Sequence, residues 1–206
     1  LWVDLSTVSP SFSQEMAQKT LARKARFLDA GVAGSKVPVE QGSPRFFVGG
    51  EDAVFEACLP LFKAMGCEAV HIGGYGMGIT LKMVLNLIIG ETMLAFGEAL
   101  VPGEAMGLSR QYLLEMILGS HVAAPFSNTK RAKIASDQYE ADFPLKLMQK
   151  DLQIATTTAY EKEVAIPAAG TAKEIYALAA RHGLAEQDYS AIYSFLSQGQ
   201  PADKWK

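Results

Sequence analysis

The chain has 206 residues, of which 49% are hydrophobic and 20% are charged, and its formal net charge is -3. This composition is that of a globular protein with enough length for one large domain or two small ones. The slightly acidic balance excludes a strongly basic nucleic-acid-binding domain, so we expect no nucleic-acid partner. The two cysteines, Cys58 and Cys67, lack a CxxC spacing and are typical of core thiols in a reducing compartment, which favours the cytoplasm.

Short β-type runs alternate with helix-type stretches in the first third of the chain. The helix between the first two runs has Ser9 as a candidate N-cap and Pro10 as a first-turn proline. The helix after Gly50 carries an apolar stripe, and Pro60 is expected to kink or interrupt it. The alternation predicts an α/β layer. The β-type runs cover residues 1–6, 26–33, 45–50 and 68–73.

After Gly78 the β-type runs stop, and the remaining pattern is helical. The switch in pattern near Gly76 predicts two domains, residues 1–76 and residues 77–206. Helices are expected over residues 79–106, 109–119, 125–135, 145–163, 168–182 and 189–197.

The most apolar stretch, residues 81–101, contains Lys82, Asn86, Glu91 and Glu98. These polar side chains are unfavourable in a lipid-exposed span. We therefore expect a buried or interfacial helix and no membrane partner.

Glycines cluster in GGYGMG, residues 73–78, but the chain contains no G-x-G-x-x-G in any register. A complete dinucleotide-binding fingerprint is therefore absent. The simpler interpretation is a strand-to-helix connection in which small residues let a backbone or a ligand approach closely.

Lys82 lies on an otherwise apolar helix, and Asn86 lies one turn later on the same side. Beside a carbonyl oxygen, a lysine ammonium can stabilise and protonate the negative charge that develops when a hydride attacks the carbon. The alternative is a lysine that extends its ammonium to solvent along an apolar surface.

Two other segments contain candidate polar groups. DLSTVSP, residues 4–10, places Ser6 and Thr7 after a strand, where open α/β sheets bind ligands, although both could simply cap a helix. FPLKLMQKDLQIA, residues 143–155, places Lys150 and Asp151 on an apolar helix, where an exposed charge pair is the alternative. The three histidines, residues 71, 121 and 182, have no metal-ligand spacing, so we predict no metal.

Taken together, DLSTVSP, FLDAGVAGSKVPVEQG, FFVGG, GYGMGITLKMVLN and FPLKLMQKDLQIA resemble the β-hydroxyacid dehydrogenase family in the same order along the chain. The resemblance implies the C-terminal half of a Rossmann-like dinucleotide-binding domain, followed by an all-α domain that a long helix joins to it. It also implies an NAD(P)-dependent oxidoreductase of small 3-hydroxyacids, usually a homo-oligomer through the helical domain.

The resemblance also implies roles for individual residues. Lys82 matches the catalytic acid/base and Asn86 a residue that assists at the substrate. Thr7 would lie beside the nicotinamide and the substrate. The other implied residues are Gly34 and Ser35 in a substrate-carboxylate loop, Phe143 as a wall of the site, and Lys150 with Asp151 on the cofactor side.

The chain departs from the family pattern in its carboxylate loop, which reads DAGVAG rather than D-A-P-V-S-G. Gly31 replaces the proline, and Ala33 replaces a serine that would donate a hydrogen bond to the substrate. The sequence therefore does not identify the substrate. The phosphate-binding loop and the residues that select NAD or NADP would precede residue 1, so we expect a longer parent protein. The alternatives are a non-catalytic oligomerisation module with a vestigial nucleotide half, and an imine reductase on the same scaffold.

Overall fold

The computed structural model describes residues 1–34 and 44–198. The chain forms two compact units, one of Leu1–Leu87 with Asp151–Ile166, and one of Ile88–Lys150 with the residues from Pro167 onward. The predicted division at residue 76 remains a prediction, because the first unit also contains a later segment of the chain, Asp151–Ile166.

The first unit contains a four-stranded sheet in which the strands follow chain order. Strands β1 and β2 are parallel, β2 and β3 are antiparallel, and β3 and β4 are parallel. All four strands lie within the predicted runs, and three of them agree to within one residue. Their bounds are Trp2–Asp4 for β1, Phe27–Ala33 for β2, Arg45–Gly50 for β3 and Glu68–Gly73 for β4.

Two helices of the first unit connect these strands. Helix α1, Pro10–Ala22, begins after Ser9, whose hydroxyl accepts a hydrogen bond from the Phe12 amide at 3.1 Å. Helix α2, Asp52–Ala64, continues through Pro60. Of the two expected effects of Pro60, interruption of the helix was wrong, and a kink remains a prediction. Pro60 lies on the exposed side of α2, and the buried stripe on the other side holds the helix on the sheet despite the lost amide donor.

One face of the sheet packs against α2. Successive side chains of a strand point to opposite faces, so alternate residues of β2 and β3 supply this core. The buried cluster consists of Leu28, Ala30, Phe46, Val48, Val54, Phe55, Cys58 and Phe62. The other face of β2 and β3 receives the first turns of the next helix.

That helix, α3, extends over Met77–Ala105 and runs from the first compact unit into the second. Within the described ranges it is the one helix long and apolar enough to cross a membrane by length and composition, and 39% of its most apolar window is buried. A core helix of a globular protein meets the same criterion. The four polar residues in 81–101 therefore do not exclude a span by themselves, and the absence of a membrane partner remains a prediction.

The second unit is helical over its described residues. Its helices are α4, Arg110–Leu118; α5, Arg131–Ser136; α6, Leu145–Glu161, which ends in the first unit; α7, Pro167–Ala179; and α8, Ile192–Ser197. Short 3₁₀ turns, Pro125–Lys130 and Tyr189–Ala191, occupy the first part of two predicted helices. The predicted α/β layer followed by an all-helical part is confirmed.

A buried ionic cluster forms part of the core of the second unit. The Lys130 ammonium lies 2.9 Å from Asp188 Oδ2 and 3.1 Å from Asp142 Oδ2. Asp188 also accepts hydrogen bonds from the backbone amide and the hydroxyl of Ser190. These bonds compensate the charges that burial removes from water.

Candidate active site

The first turns of α3 lie directly on the backbone of the sheet. A Cβ atom placed on Gly78 would be 2.3 Å from the Phe47 carbonyl oxygen and 2.8 Å from the Gly49 amide nitrogen. Neither distance is compatible with a side chain, so this approach requires glycine. The interpretation of the glycine cluster as a site of close backbone approach therefore agrees with the structure at Gly78.

Asp29 of β2 anchors the start of α3. One of its carboxylate oxygens accepts a hydrogen bond from the Gly76 amide at 2.7 Å, and the other accepts one from the Ile79 amide at 2.9 Å. The first amides of a helix have no partner within the helix, and the helix dipole favours a negative charge beside them. Asp29 thus fixes the position of this helix end relative to β2.

The environment of Asp29 has two opposite effects on its ionisation. Burial raises the pKa of Asp29 above the ordinary value of 3.8, since only 3% of the residue is exposed. Backbone hydrogen bonds, including those from Gly76 and Ile79, favour the charged form and oppose this rise. The net direction is upward because the effect of burial is larger.

Lys82 is half-buried, and its side chain leaves α3 directly over β2. A Cβ atom placed on Gly31 would lie 2.7 Å from the Lys82 Cβ and 3.3 Å from its Cγ. Gly31 and Asp29 are two positions apart on one strand and therefore share a face of the sheet. The base of the Lys82 side chain consequently lies over the same strand that holds the start of its helix.

Asn86 follows Lys82 by one turn and is buried. Its amide donates a hydrogen bond of 2.5 Å to Asp151 Oδ2, and both residues belong to the first unit. Asn86 is therefore held by a carboxylate of α6, which the sequence pattern did not indicate. Its role beside a substrate remains a prediction, as does the cofactor role of Asp151.

Thr7 lies between β1 and α1 and is half-buried. Since Ser9 caps α1, the alternative that Thr7 or Ser6 is the N-cap was wrong. Helix α1 also contacts the turn before α3, where Gln14 Nε2 donates to the Tyr75 carbonyl oxygen at 3.3 Å. The segment after β1 and the start of α3 are thus neighbours in the first unit.

Gly34 follows the last residue of β2 and is exposed, with φ of 120°. This backbone conformation favours glycine. Strands β1 and β2 are parallel, so Thr7 and Gly34 follow strand ends that point in the same direction. Ser35, the other predicted residue of the carboxylate loop, lies outside the described residues.

Phe143 and Lys150 belong to the second unit. The ring of Phe143 meets Tyr189 edge-on, with 6.0 Å between ring centroids, and its carbonyl oxygen accepts from the Tyr189 amide at 3.0 Å. Phe143 and Lys150 are half-buried. Their predicted roles as site wall and cofactor contact remain predictions.

Asp29 is the residue of this region that sequence reasoning missed. An acid in the middle of an apolar strand, between Leu28 and Ala30, is an unusual signal because a buried carboxylate needs hydrogen-bond donors. Those donors lie 47 and 50 positions later in the chain. Across the residues that the structure describes, no group of three or more His, Cys, Asp or Glu side chains could hold a metal ion.

Two family models match the chain in succession. The model described as the NAD-binding domain of 6-phosphogluconate dehydrogenase matches residues 1–73. The model described as NAD-binding of NADP-dependent 3-hydroxyisobutyrate dehydrogenase matches residues 76–196. The second match alone covers more than half of the chain.

Relatives with similar sequences have names of two kinds. Glyoxylate/succinic semialdehyde reductase 2, chloroplastic, of Arabidopsis thaliana is 32% identical over 195 residues, which cover 95% of this chain and 54% of that protein. The cytokine-like nuclear factor N-PAC of Xenopus tropicalis is 31% identical over 192 residues, which cover 93% of this chain and 36% of that protein. The chain therefore spans about a third to a half of the length of these relatives.

Among solved structures, the chain is similar to Mycobacterium tuberculosis 3-hydroxyisobutyrate dehydrogenase in the presence of L-serine. The TM-score is 0.85 at 27% sequence identity, and the match covers 94% of this chain and 69% of that chain. The similarity in fold thus extends over both parts of the chain, the sheet with its helices and the helical part.

Proposed function

Because the chain belongs to the β-hydroxyacid dehydrogenase family, we propose that it carries the catalytic part of an NAD(P)-dependent enzyme for small carboxylate-bearing substrates. The enzyme interconverts a 3-hydroxyacid, or a related short hydroxyacid, with its semialdehyde or ketoacid. Lys82 transfers the proton in this reaction. Relatives named as reductases and dehydrogenases support the oxidoreductase class.

The observation that supports this proposal most is the position of Lys82. Its Cβ and Cγ lie over Gly31 of β2, two positions from the Asp29 carboxylate that anchors the start of α3. A lysine serving only as a solvated surface charge has no need of a glycine beneath its stem or an anchored helix end. A fixed stem is what a proton donor requires, since catalysis depends on orientation as well as on charge.

The carboxylate requirement rests on the loop that follows β2. Gly34 is exposed at this point and has no side chain, so a carboxylate can approach its backbone amide closely. The solved relative was studied with L-serine, itself a small carboxylate with a hydroxyl on its third carbon. We propose that Gly34 and Ser35 bind the carboxylate of a substrate of this size, with Phe143 as an apolar wall.

Ala33 limits the set of substrates. It occupies the position where the family loop has a serine, so this chain lacks one hydroxyl donor. A missing hydrogen bond costs about 1 kcal/mol, and more where it leaves a buried polar group without a partner. We therefore expect the preferred substrate to be one that binds without this hydrogen bond. The assay must compare several substrates.

The cofactor class is NAD or NADP, as both matched domain families bind nicotinamide dinucleotides. In the described ranges, the amides at the start of α3 are already bound to Asp29 and do not suit a pyrophosphate. The strand ends before Thr7 and Gly34 suit the nicotinamide end of the cofactor. There is also open space at Gly74, where a Cβ atom would meet no other atom within 4 Å. We propose that Thr7, Lys150 and Asp151 contribute to holding the cofactor.

A bound nicotinamide supplies a hydride to the substrate carbonyl carbon, or accepts one in the reverse direction. For reduction, the Lys82 ammonium hydrogen-bonds to the carbonyl oxygen and donates a proton to it as negative charge develops there. The products are an alcohol and a neutral lysine amine, which regains its proton from solvent. For oxidation, the neutral amine of Lys82 accepts the hydroxyl proton. Asn86 stays oriented through its hydrogen bond to Asp151.

The proposal is tested by replacing Lys82 with alanine in the full-length protein. Steady-state turnover of glyoxylate, succinic semialdehyde and 3-hydroxyisobutyrate should fall by about 10²- to 10⁴-fold, the usual contribution of a general acid or base. Lys19→Ala is the matched control, since Lys19 is exposed and paired with Glu15 on α1. Wild-type turnover in Lys82→Ala would overturn the assigned role.

The same purified protein tests the alternatives. Saturable quenching of protein fluorescence by NADH or NADPH is expected, and its absence together with absent turnover would favour the non-catalytic module. This control is needed because the N-PAC relatives are named as nuclear factors and not as enzymes. Reduction of a cyclic imine in preference to glyoxylate and succinic semialdehyde would favour the imine reductase. Cytoplasmic location and a homo-oligomer remain predictions, the latter measurable by light scattering.

A further inference from the structure

Gly31 lies in the middle of β2 and is buried. It pairs with Phe47 of β3, and its carbon Cα faces the first turns of α3. Besides the Lys82 atoms, the Gly78 carbonyl oxygen would lie 3.1 Å from a Cβ on Gly31. The backbone of β2 therefore touches α3 at the turn that carries Lys82, with no room for even a methyl group.

Asp29 opposes a movement of α3 away from β2 that would make room for a methyl group. Its two hydrogen bonds hold the Gly76 and Ile79 amides, and they start from the same strand as Gly31. Gly78 meets the backbone of β3 in the same turn. A methyl group on Gly31 must therefore displace the Lys82 Cβ, bend the strand, or stretch the Asp29 bonds. Each of these changes moves the base of the Lys82 side chain.

We propose that Gly31 is a positioning residue for Lys82: the absence of a side chain at residue 31 determines how closely the Lys82 side chain lies to the sheet, and thereby the position of its ammonium group. The inference rests on the proposed role of Lys82 in proton transfer. Gly31 itself touches neither the proton nor the reacting carbon. Its effect reaches the reaction through the Lys82 stem, as a misplacement of about 1 Å can cost about 10²-fold in rate.

The direct test is Gly31→Ala in the full chain. We expect kcat to fall by about 10²-fold with a much smaller change in KM, because Gly34 and Ser35, the residues proposed to bind the substrate carboxylate, are unchanged. The pH dependence of kcat should shift as well, since the ammonium moves to a new environment. Gly170→Ala is the matched control, because a Cβ on Gly170 meets no atom within 4 Å and its helical backbone accepts alanine.

A second readout does not depend on activity. The rate at which acetic anhydride labels Lys82, followed by mass spectrometry over a range of pH, reports the environment of the amine. The rate should change in Gly31→Ala and stay the same in Gly170→Ala. Unchanged kcat, pH profile and labelling in a folded Gly31→Ala protein would overturn the inference.

If Gly31→Ala does not fold, a double variant keeps the inference testable. Lys82→Gly removes the Cβ that a methyl group on residue 31 would meet at 2.7 Å. The double variant should then fold, and its thermal midpoint should lie close to that of Lys82→Gly alone. A double variant that also fails to fold would show that the contact between residues 31 and 82 is not what excludes the methyl group, and would reject the inference.

The outcomes also separate this inference from the proposed function. If Lys82→Ala keeps wild-type turnover, the proton-transfer role fails, whereas the labelling and thermal results still report the contact. If Lys82→Ala is inactive while Gly31→Ala matches the wild type in every readout, the proposed function stands and the positioning role fails.

Discussion

Asn86 donates a hydrogen bond of 2.5 Å to Asp151 Oδ2, which joins two residues that are 65 positions apart in the chain. Both residues are buried, with 3% and 4% of their surface exposed. A buried amide–carboxylate pair contributes more to stability than an exposed one, because neither group can exchange its partner for water. The pair connects α3 and α6 within the first unit.

Asn86→Ala should lower the free energy of unfolding by about 2–3 kcal/mol, because the buried Asp151 carboxylate loses a hydrogen bond from a neutral donor. Urea denaturation measures this change. The double variant Asn86→Ala with Asp151→Ala should be less destabilised than the sum of the single variants. Additive effects would contradict a direct interaction. Gln153→Ala is the control, since Gln153 bonds Thr157 on an exposed surface and should change stability by less than about 0.5 kcal/mol.

Asp29→Ala should destabilise the protein by about 2–5 kcal/mol, since it removes the acceptor of two buried backbone amides. Asp29→Asn keeps one acceptor and should lose less. Equilibrium unfolding in urea measures the free energy of unfolding of both variants. Glu186→Gln serves as the control, because that carboxyl is 75% exposed and forms an ion pair with Lys146 at the surface. A loss in Asp29→Ala no larger than in this control would show that the amides find other partners.

The stability difference between wild type and Asp29→Asn should depend on pH. Burial raises the pKa of Asp29 in the folded protein, whereas the unfolded chain has the ordinary value of 3.8. Between these two values the folded form binds more protons than the unfolded form, so the stability that Asp29 contributes rises as the pH falls. As the pH is lowered through the raised folded pKa toward 3.8, the wild type should gain stability relative to Asp29→Asn. A loss over that range would mean that the pKa is lowered instead.

Lys130→Met should destabilise the protein by about 3–5 kcal/mol, because it leaves the buried carboxylate of Asp188 without its cation. The unfolding free energy from urea titration measures this loss. Lys146→Met is the matched control: Lys146 also contacts an acid, Glu186, at 2.6 Å, but both side chains are largely exposed. Its effect should stay below about 1 kcal/mol. Equal losses in the two variants would show that burial of the ion pair is unimportant.

The strands and most helix bounds could be predicted because their signals are local. Alternation along β2 and β3, the Ser9–Pro10 helix start and the apolar stripe of α2 each depend on residues only a few positions apart. Pro60 was expected to kink or interrupt α2, and the interruption was wrong for the same reason. A local rule counts the lost hydrogen bond, but it does not count the core contacts that hold the rest of the helix in place.

By itself, the sequence determined the α/β layer, the helical remainder, the family, and the presence of Lys82 and Asn86 on one side of a helix. Helical spacing decides that last relationship without any other part of the protein. Only the tertiary structure decided which groups these side chains meet: Asp151 for Asn86, and the bare backbone of Gly31 for Lys82. The physical reason is that a hydrogen bond or a steric contact depends on distance in space, and β2, α3 and α6 approach one another only when the chain packs its core.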